Sequence, residues 1–303
     1  MSRFIWAAAG VAAVIAGSGI AQAAEGISPL QPGATTGNPA GALPPPGLYF
    51  SWDTAYEFGK LKDDSGSDQT SPKLKASNVS TVGVLLWVPG WKLFGADYGA
   101  MLAQPLKYAH TTVFDEATGA SGMVNTSISP LNLSWNLGNG LFVGTGVAVI
   151  VPDATTDYTW TGTRWRTTTK NIGNNYWTVE PNLAVTYMTG DWTLTLNNIL
   201  DINSENTRTN YRTGNIYYLD ATVARRIGKY TLGVIGNYTQ QLEDDEIFGV
   251  AQPDTKIQHL KAGVMVGYDF GAFTVTARYL QALHTRNDVG VSFAHLTVGW
   301  KLY

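Results

Sequence analysis

The 303-residue sequence contains no cysteine. That excludes disulfides, thiolate metal sites and cysteine nucleophiles, and it fits an exported protein held together by other means. Charge is also scarce. Asp, Glu, Lys and Arg make up 14% of the chain, against a typical quarter. The net charge is −3 and no Lys/Arg cluster occurs, so nucleic acid is excluded as a partner. Catalytic signatures are missing too: there is no G-x-S-x-G elbow, H-E-x-x-H, Walker loop or G-x-G-x-x-G. The four histidines (His110, His259, His284, His295) are scattered. Nothing activates the one nearby Ser/His pair, Ser292 and His295. We therefore assign no catalytic residue, no cofactor and no metal site. Beyond residue 23, no stretch is apolar and long enough to be a membrane helix.

What is present begins with an export signal. Arg3 supplies a small positive region, Phe4 to Ile20 is apolar and rich in Ala and Gly, and Ala21-Gln22-Ala23 is an A-x-A site. Residues 1–23 read as a signal peptide cleaved after Ala23. Residues 24–46 are rich in Gly, Pro and Ala and close on Pro44-Pro45-Pro46-Gly47. Such a segment builds no core of its own and is expected to be extended, as a periplasmic tail or a plug in a lumen.

From Gly47 onward, amphipathic segments are joined alternately by tight turns and long polar stretches. The turns read Pro89-Gly90-Trp91, Gly138-Asn139-Gly140, Thr189-Gly190-Asp191, Ile227-Gly228-Lys229 and Phe270-Gly271-Ala272. The polar stretches lie near 60–73, 107–121, 153–172, 203–213, 243–256 and 284–288. Transmembrane β-barrels show this asymmetry, with short periplasmic turns and long external loops. Twelve strands are expected, near 47–60, 74–88, 92–106, 122–137, 140–152, 173–188, 191–203, 213–227, 229–243, 256–270, 272–284 and 289–302. An even count puts both termini on the periplasmic side.

Period two is visible within the strands. Tyr230, Leu232, Val234 and Tyr238 oppose Thr231, Asn237, Thr239 and Gln241; Leu183, Val185 and Tyr187 oppose Glu180, Asn182 and Thr186. A soluble sandwich alternates likewise. The placement of aromatics favours the membrane, because Trp87, Phe94, Trp135, Phe142, Tyr187, Trp192, Tyr230, Phe270 and Phe273 sit beside the turns, as an interfacial girdle does. The chain ends on a strand carrying Leu296, Val298, Trp300 and Leu302 before Tyr303, the kind of ending that outer-membrane assembly machinery reads. The fold class is thus all-β: a transmembrane antiparallel barrel of about twelve strands spanning 47–303, facing outer-membrane lipid of a Gram-negative bacterium.

Parity assigns Asp53, Glu57, Asp97, Glu180, Asp220, Arg226, His259, Lys261, Arg278 and His295 to the lumen side. The same charges facing lipid would each be unfavourable by a few kcal/mol near the midplane. Mixed signs argue against a strongly ion-selective pore. In the alternative, Arg226, Lys261 and Arg278 pair with the acids and simply fill a narrow barrel. The acidic runs at Asp63-Asp64 with Asp68 and at Glu243-Asp244-Asp245-Glu246 lack the ligand spacing of a calcium loop and read as solvated loop charge. Tyr158, Trp160 and Trp165, in the longest loop, either catch an apolar solute or pack that loop over the barrel mouth.

Gly37-Asn38-Pro39-Ala40-Gly41, then Pro44-Pro45-Pro46-Gly47-Leu48-Tyr49-Phe50 and an aromatic first strand with Tyr56, resemble the start of the meta-pathway of phenol degradation family of outer-membrane proteins. That family is regarded as porins or transporters. It is distantly similar to the long-chain fatty-acid transporters, whose N-terminal hatch plugs the barrel and carries an Asn-Pro-Ala element; Asn38, Pro39 and Ala40 echo it. The resemblance implies an outer-membrane channel or transporter that takes up small hydrophobic or aromatic compounds. The competing expectation is a non-transporting structural or adhesive barrel with a filled lumen.

Overall fold

A computed structural model describes Glu25 and residues 28–71 and 73–303. The expected signal peptide, 1–23, lies outside the described residues. Twelve long strands form the wall: β1 (Gly47–Lys60), β2 (Leu74–Val88), β3 (Ala96–Val113), β4 (Ser127–Asn136), β5 (Leu141–Ile150), β6 (Thr178–Thr189), β7 (Trp192–Asn203), β8 (Ile216–Ile227), β9 (Tyr230–Gln241), β10 (Gln258–Asp269), β11 (Phe273–Arg286) and β12 (Ser292–Lys301). Each pairs antiparallel with its neighbours in sequence. The ring closes where β1 pairs β12, with Asp53 opposite Thr297. Closure leaves no open edge, so every wall strand has partners on both sides, as a structure without water around it requires.

The polarity of the wall separates a membrane barrel from a soluble sandwich. Leu183, Val234 and Leu296 are each more than half exposed on the outer face, while Thr186, Asn197, Asp220, Asn237 and Thr239 are buried on the inner one. A sandwich buries the opposite set. Only a lipid surround makes an apolar outer face favourable. Rings gather on this face near the short turns. Trp87 meets Trp91 at 5.2 Å, Trp91 stacks on Tyr98 at 5.7 Å, and Tyr230, Tyr268, Phe270 and Phe273 run on at 4.6–4.8 Å.

Two connections differ from expectation. The first tight reversal falls at Phe94-Gly95, both with positive φ, rather than at Pro89-Gly90-Trp91; Lys92 and Leu93 pair back onto Asp97 and Ala96. The polar stretch 107–121 is not a loop. β3 continues to Val113, and Glu116–Met123 pairs back onto it around Phe114-Asp115. Both turn residues have positive φ, the requirement of a two-residue type I′ hairpin. The β-branched run Thr111-Thr112-Val113 sustains the strand where polarity alone suggested a loop.

The register places Gly47 opposite Val88 and Tyr49 opposite Lys301, so the wall begins and ends at the short-turn end. Residues 28–46 run the other way. They pass through the lumen, and Glu25 sits among the long loops, hydrogen-bonded to Asn206 and Thr209. Glu25 therefore lies at the opposite end of the barrel from Gly47 and Lys301.

Candidate functional site

The lumen is divided lengthwise. Residues 28–46 lie mainly against β4 to β11. Ser28 Oγ is 2.6 Å from Tyr218 Oη, and Leu30 packs on Ile199, Ile216, Tyr218 and Ile257. Thr35 donates from N at 2.9 Å and from Oγ1 at 2.7 Å to Asp220 Oδ2. Arg278 donates to the Thr36 carbonyl at 2.6 Å, and Gly37 N donates to Thr222 Oγ1 at 2.8 Å. Farther on, Gly41 N donates to Thr186 Oγ1 at 3.0 Å and Ser134 donates to the Gly41 carbonyl at 2.8 Å. The segment has few side chains to interpose, so backbone approaches wall closely. A Cβ on Gly144 would lie 2.9 Å from Gly41 Cα.

Opposite this segment, along the inner face of β1 to β3, lies a cavity of 1510 Å³. Toward the turns its wall is apolar, with Val82, Val84, Met101 and Ala103; midway it carries Glu57, Asn78, Ser80 and Lys107. Ligand pockets are typically about 300–1,000 Å³. A space of this size is a compartment through which small molecules fit, more than a cast of one of them.

The ten residues assigned inward by parity all lie on inner-face positions, but they fall into groups that spacing did not reveal. Asp53 joins Arg278 and His295, each at 2.8 Å, and accepts from Thr297. Glu57 accepts from Lys107 at 3.2 Å, Ser80 at 2.7 Å, and Asn78 and Gln31 at 3.1 Å each. Asp220 holds Thr35 and accepts from Asn237 at 2.7 Å. Glu180 lies beside Asp201, which accepts from Tyr218 at 2.9 Å. His259 Nε2 is 3.0 Å from Asp288. Asp97 and Arg226 are at the turn-end rim, paired with Lys92 at 2.7 Å and Asp269 at 3.2 Å and largely solvated. Ion pairing thus absorbs Arg226 and Arg278 but not Lys261, whose contact is the Phe293 ring at 3.9 Å.

Sequence reasoning missed Lys107, Asp201 and Asp288. Lys107 and Asp288 fell in stretches read as loops; the alternation that continues past Pro105 was the signal for Lys107. Asn38 and Pro39 are exposed within the lumen, Asn38 on the cavity wall, and Ala40 is partly covered. Turn hydrogen bonds Asn38 N to the Thr35 carbonyl at 3.2 Å and Ala40 N to the Asn38 carbonyl at 2.9 Å.

The loops also have buried chemistry. Tyr158–Trp160 pairs with Trp165–Thr167 as a small hairpin, with Trp160 edge-on to Trp165 at 5.6 Å. Arg208 lies 4.4 Å over Trp165 and 5.6 Å over Tyr158. Tyr158 borders the cavity, while the two tryptophans pack the hairpin. The acidic run at 243–246 is not uniformly solvated, as had been expected. Glu243 and Glu246 pair with Arg212 at 3.1 and 2.6 Å. Asp245 is fully buried, accepting from Tyr211, from Gln241 at 2.7 Å and from Gly214 N at 3.0 Å. Burial pushes its carboxyl up to about 6 against the pull of those hydrogen bonds. Burial likewise raises Glu25, which Thr209 and Asn206 partly counter. Among the described residues, no group of three or more His, Asp or Glu could hold a metal ion.

The model of one protein family matches residues 60–292, from the end of β1 to the start of β12. The chain belongs to the MetA-pathway of phenol degradation family. Among solved structures, an outer membrane channel from Pseudomonas putida F1 is 16% identical, with a TM-score of 0.72 over 89% of this chain and 99% of that one. The transport unit of the autotransporter AIDA-I from Escherichia coli is 12% identical, with a TM-score of 0.50 over 84% and 89%. The toluene transporter TodX from Pseudomonas putida is a looser likeness: 10% identical, TM-score 0.44, over 87% and 90%. No curated protein matches in sequence. At these identities the structural likenesses speak to the barrel fold alone.

Proposed function

We propose that this member of the family is an outer-membrane channel for small hydrophobic or aromatic compounds, gated by residues 24–46 as a lumenal plug. A signal peptide ending at Ala23 exports it, the assembly machinery inserts it, and its long loops face outward. The observation that carries the reading is the divided lumen: a pinned segment on one side and a 1510 Å³ cavity on the other. A structural or adhesive barrel has no use for an unfilled interior. The mixed wall, apolar below and hydrogen-bonding midway, offers weak contacts at several levels, which passage requires.

Planar-bilayer conductance of the refolded protein tests this, with a variant lacking 24–46 but keeping the signal peptide. Discrete steps, larger in the deletion variant and blocked by a simple phenol, are expected. Equal conductance in both proteins excludes the plug. No conductance in either, with the heat-modifiable gel shift of a folded barrel, excludes the channel.

A further inference from the structure

Among the described residues, the part of the cavity bounded by the barrel wall has one basic group without an ion-pairing partner; Arg166 and Lys170, which also line the cavity without an ion pair, belong to the long loop 153–172. Lys261, on β10, is 2% exposed and borders the cavity. Among the described residues its Nζ has no hydrogen bond, and no carboxylate oxygen lies within 4.0 Å. The other inner-wall cations are engaged: Lys107 with Glu57 at 3.2 Å, Arg278 with Asp53 at 2.8 Å.

The acids whose fields reach Lys261 are Asp288, Glu57 and Asp220; its basic neighbour on the same face of β10 is His259. Each acid is already supplied with donors. Asp288 has His259 and the Val289 amide at 2.6 Å, Glu57 has four side-chain donors, and Asp220 has Thr35 and Asn237. The Lys261 ammonium rests against the face of Phe293. Phe293 and Val291 both line the cavity, so an apolar surface adjoins the ammonium. A buried ammonium without an acceptor is strongly unfavourable. A charged acceptor satisfies it better than a neutral one.

We propose that Lys261 and Phe293 form a binding site for a small aromatic carboxylate, whose oxygen accepts from Nζ while its ring lies along Phe293 and Val291. This rests on the passage reading above and narrows its solute class: the preferred solute has an aromatic body and an anionic oxygen. The site is a station in the lumen, with weak affinity suited to release.

Equilibrium dialysis of the folded, full-length barrel with benzoate, and with benzyl alcohol as the neutral probe of similar shape, tests the site. Wild type should bind benzoate saturably and more tightly than benzyl alcohol. Lys261→Met should weaken benzoate at least tenfold and change benzyl alcohol less than twofold. Lys261→Gln, which keeps an N–H donor without the charge, should match Lys261→Met for benzoate. The heat-modifiable gel shift verifies that each variant folds. Saturable benzoate binding that survives either substitution, or its absence in wild type, overturns the proposal; in the latter case the ammonium is merely hydrated. Lys261-dependent binding together with no conductance in any form of the protein would instead sink the passage reading and leave the site standing.

Discussion

Asp220→Ala should release the lumenal segment. Asp220 Oδ2 is the acceptor of two hydrogen bonds from one residue of that segment, Thr35 N at 2.9 Å and Thr35 Oγ1 at 2.7 Å. Hydrogen bonds to a charged group contribute about 1.5–3 kcal/mol each. Taking the lower value for both, docking weakens by about 3 kcal/mol, or about 10²-fold in the ratio of released to docked segment. The true figure lies below the sum of the upper values, since the two bonds share one oxygen and are not independent. The absence of cysteine supplies the assay. Thr36 is fully buried, and its side chain bonds only within the segment, to the Gly33 carbonyl at 2.7 Å. In a Thr36→Cys background, a membrane-impermeant maleimide reacts only when the segment leaves the wall. If reclosing outpaces labelling, the rate follows the released population. Asp220→Ala should raise that rate about 10²-fold, with an unchanged gel shift, because no lipid-facing residue is touched. A rate within threefold of the parent would refute the argument and mean that Arg278, Thr222, Thr186 and Ser134 hold the segment unaided.

Three further outcomes follow from the same geometry. Gly144→Val places a side chain where Cβ alone comes within 2.9 Å of Gly41 Cα; it should raise Thr36→Cys labelling at least tenfold, whereas Gly267→Ala, whose nearest contact is a Thr276 hydroxyl at 3.2 Å on the wall itself, should not. Val234→Arg, on the outer face in mid-strand, should destabilise the barrel by about 2–4 kcal/mol in a lipid refolding titration; a change below 1 kcal/mol would show that this face does not meet lipid. Because burial raises Asp245 from 3.8 to about 6, the folded loops bind its proton more readily than the unfolded chain. The contribution is therefore complete below the unfolded value and is lost as pH rises toward about 6, by about 3 kcal/mol in all. Hydrogen exchange of Tyr211 to Gly214, corrected for intrinsic rates, should report this loosening between pH 4 and 7, and Asp245→Asn should abolish it.

Much of the wall was legible because a strand's side chains alternate with a period of two and a membrane makes that alternation costly to violate. The outward set Leu183, Val185, Tyr187 and Leu232, Val234 appeared where its spacing put it, as did the inward Asp220, Asn237 and Lys261. Connection lengths told strand number, since a turn such as Thr189-Gly190-Asp191 can only join neighbours. Loops were harder. Type I′ geometry at Phe114-Asp115 has no glycine to announce it, and Asp245 is set among charged residues that are all more exposed than it is.

The sequence by itself determined that this is an all-β barrel of twelve strands, which face of each strand is dry, and which residues carry charge into the interior. Those properties are local, set by periodicity and turn chemistry within about twenty residues. Tertiary structure alone decided the partners. Asp53 meets Arg278 across 225 positions, because closure brings β1 beside β12 and β12 beside β11. It also decided the course of residues 28–46, which have no periodicity to read and are placed by wall groups such as Asp220 and Thr186. And it left Lys261 without an ion pair, a fact of three-dimensional distance that no spacing along the chain encodes.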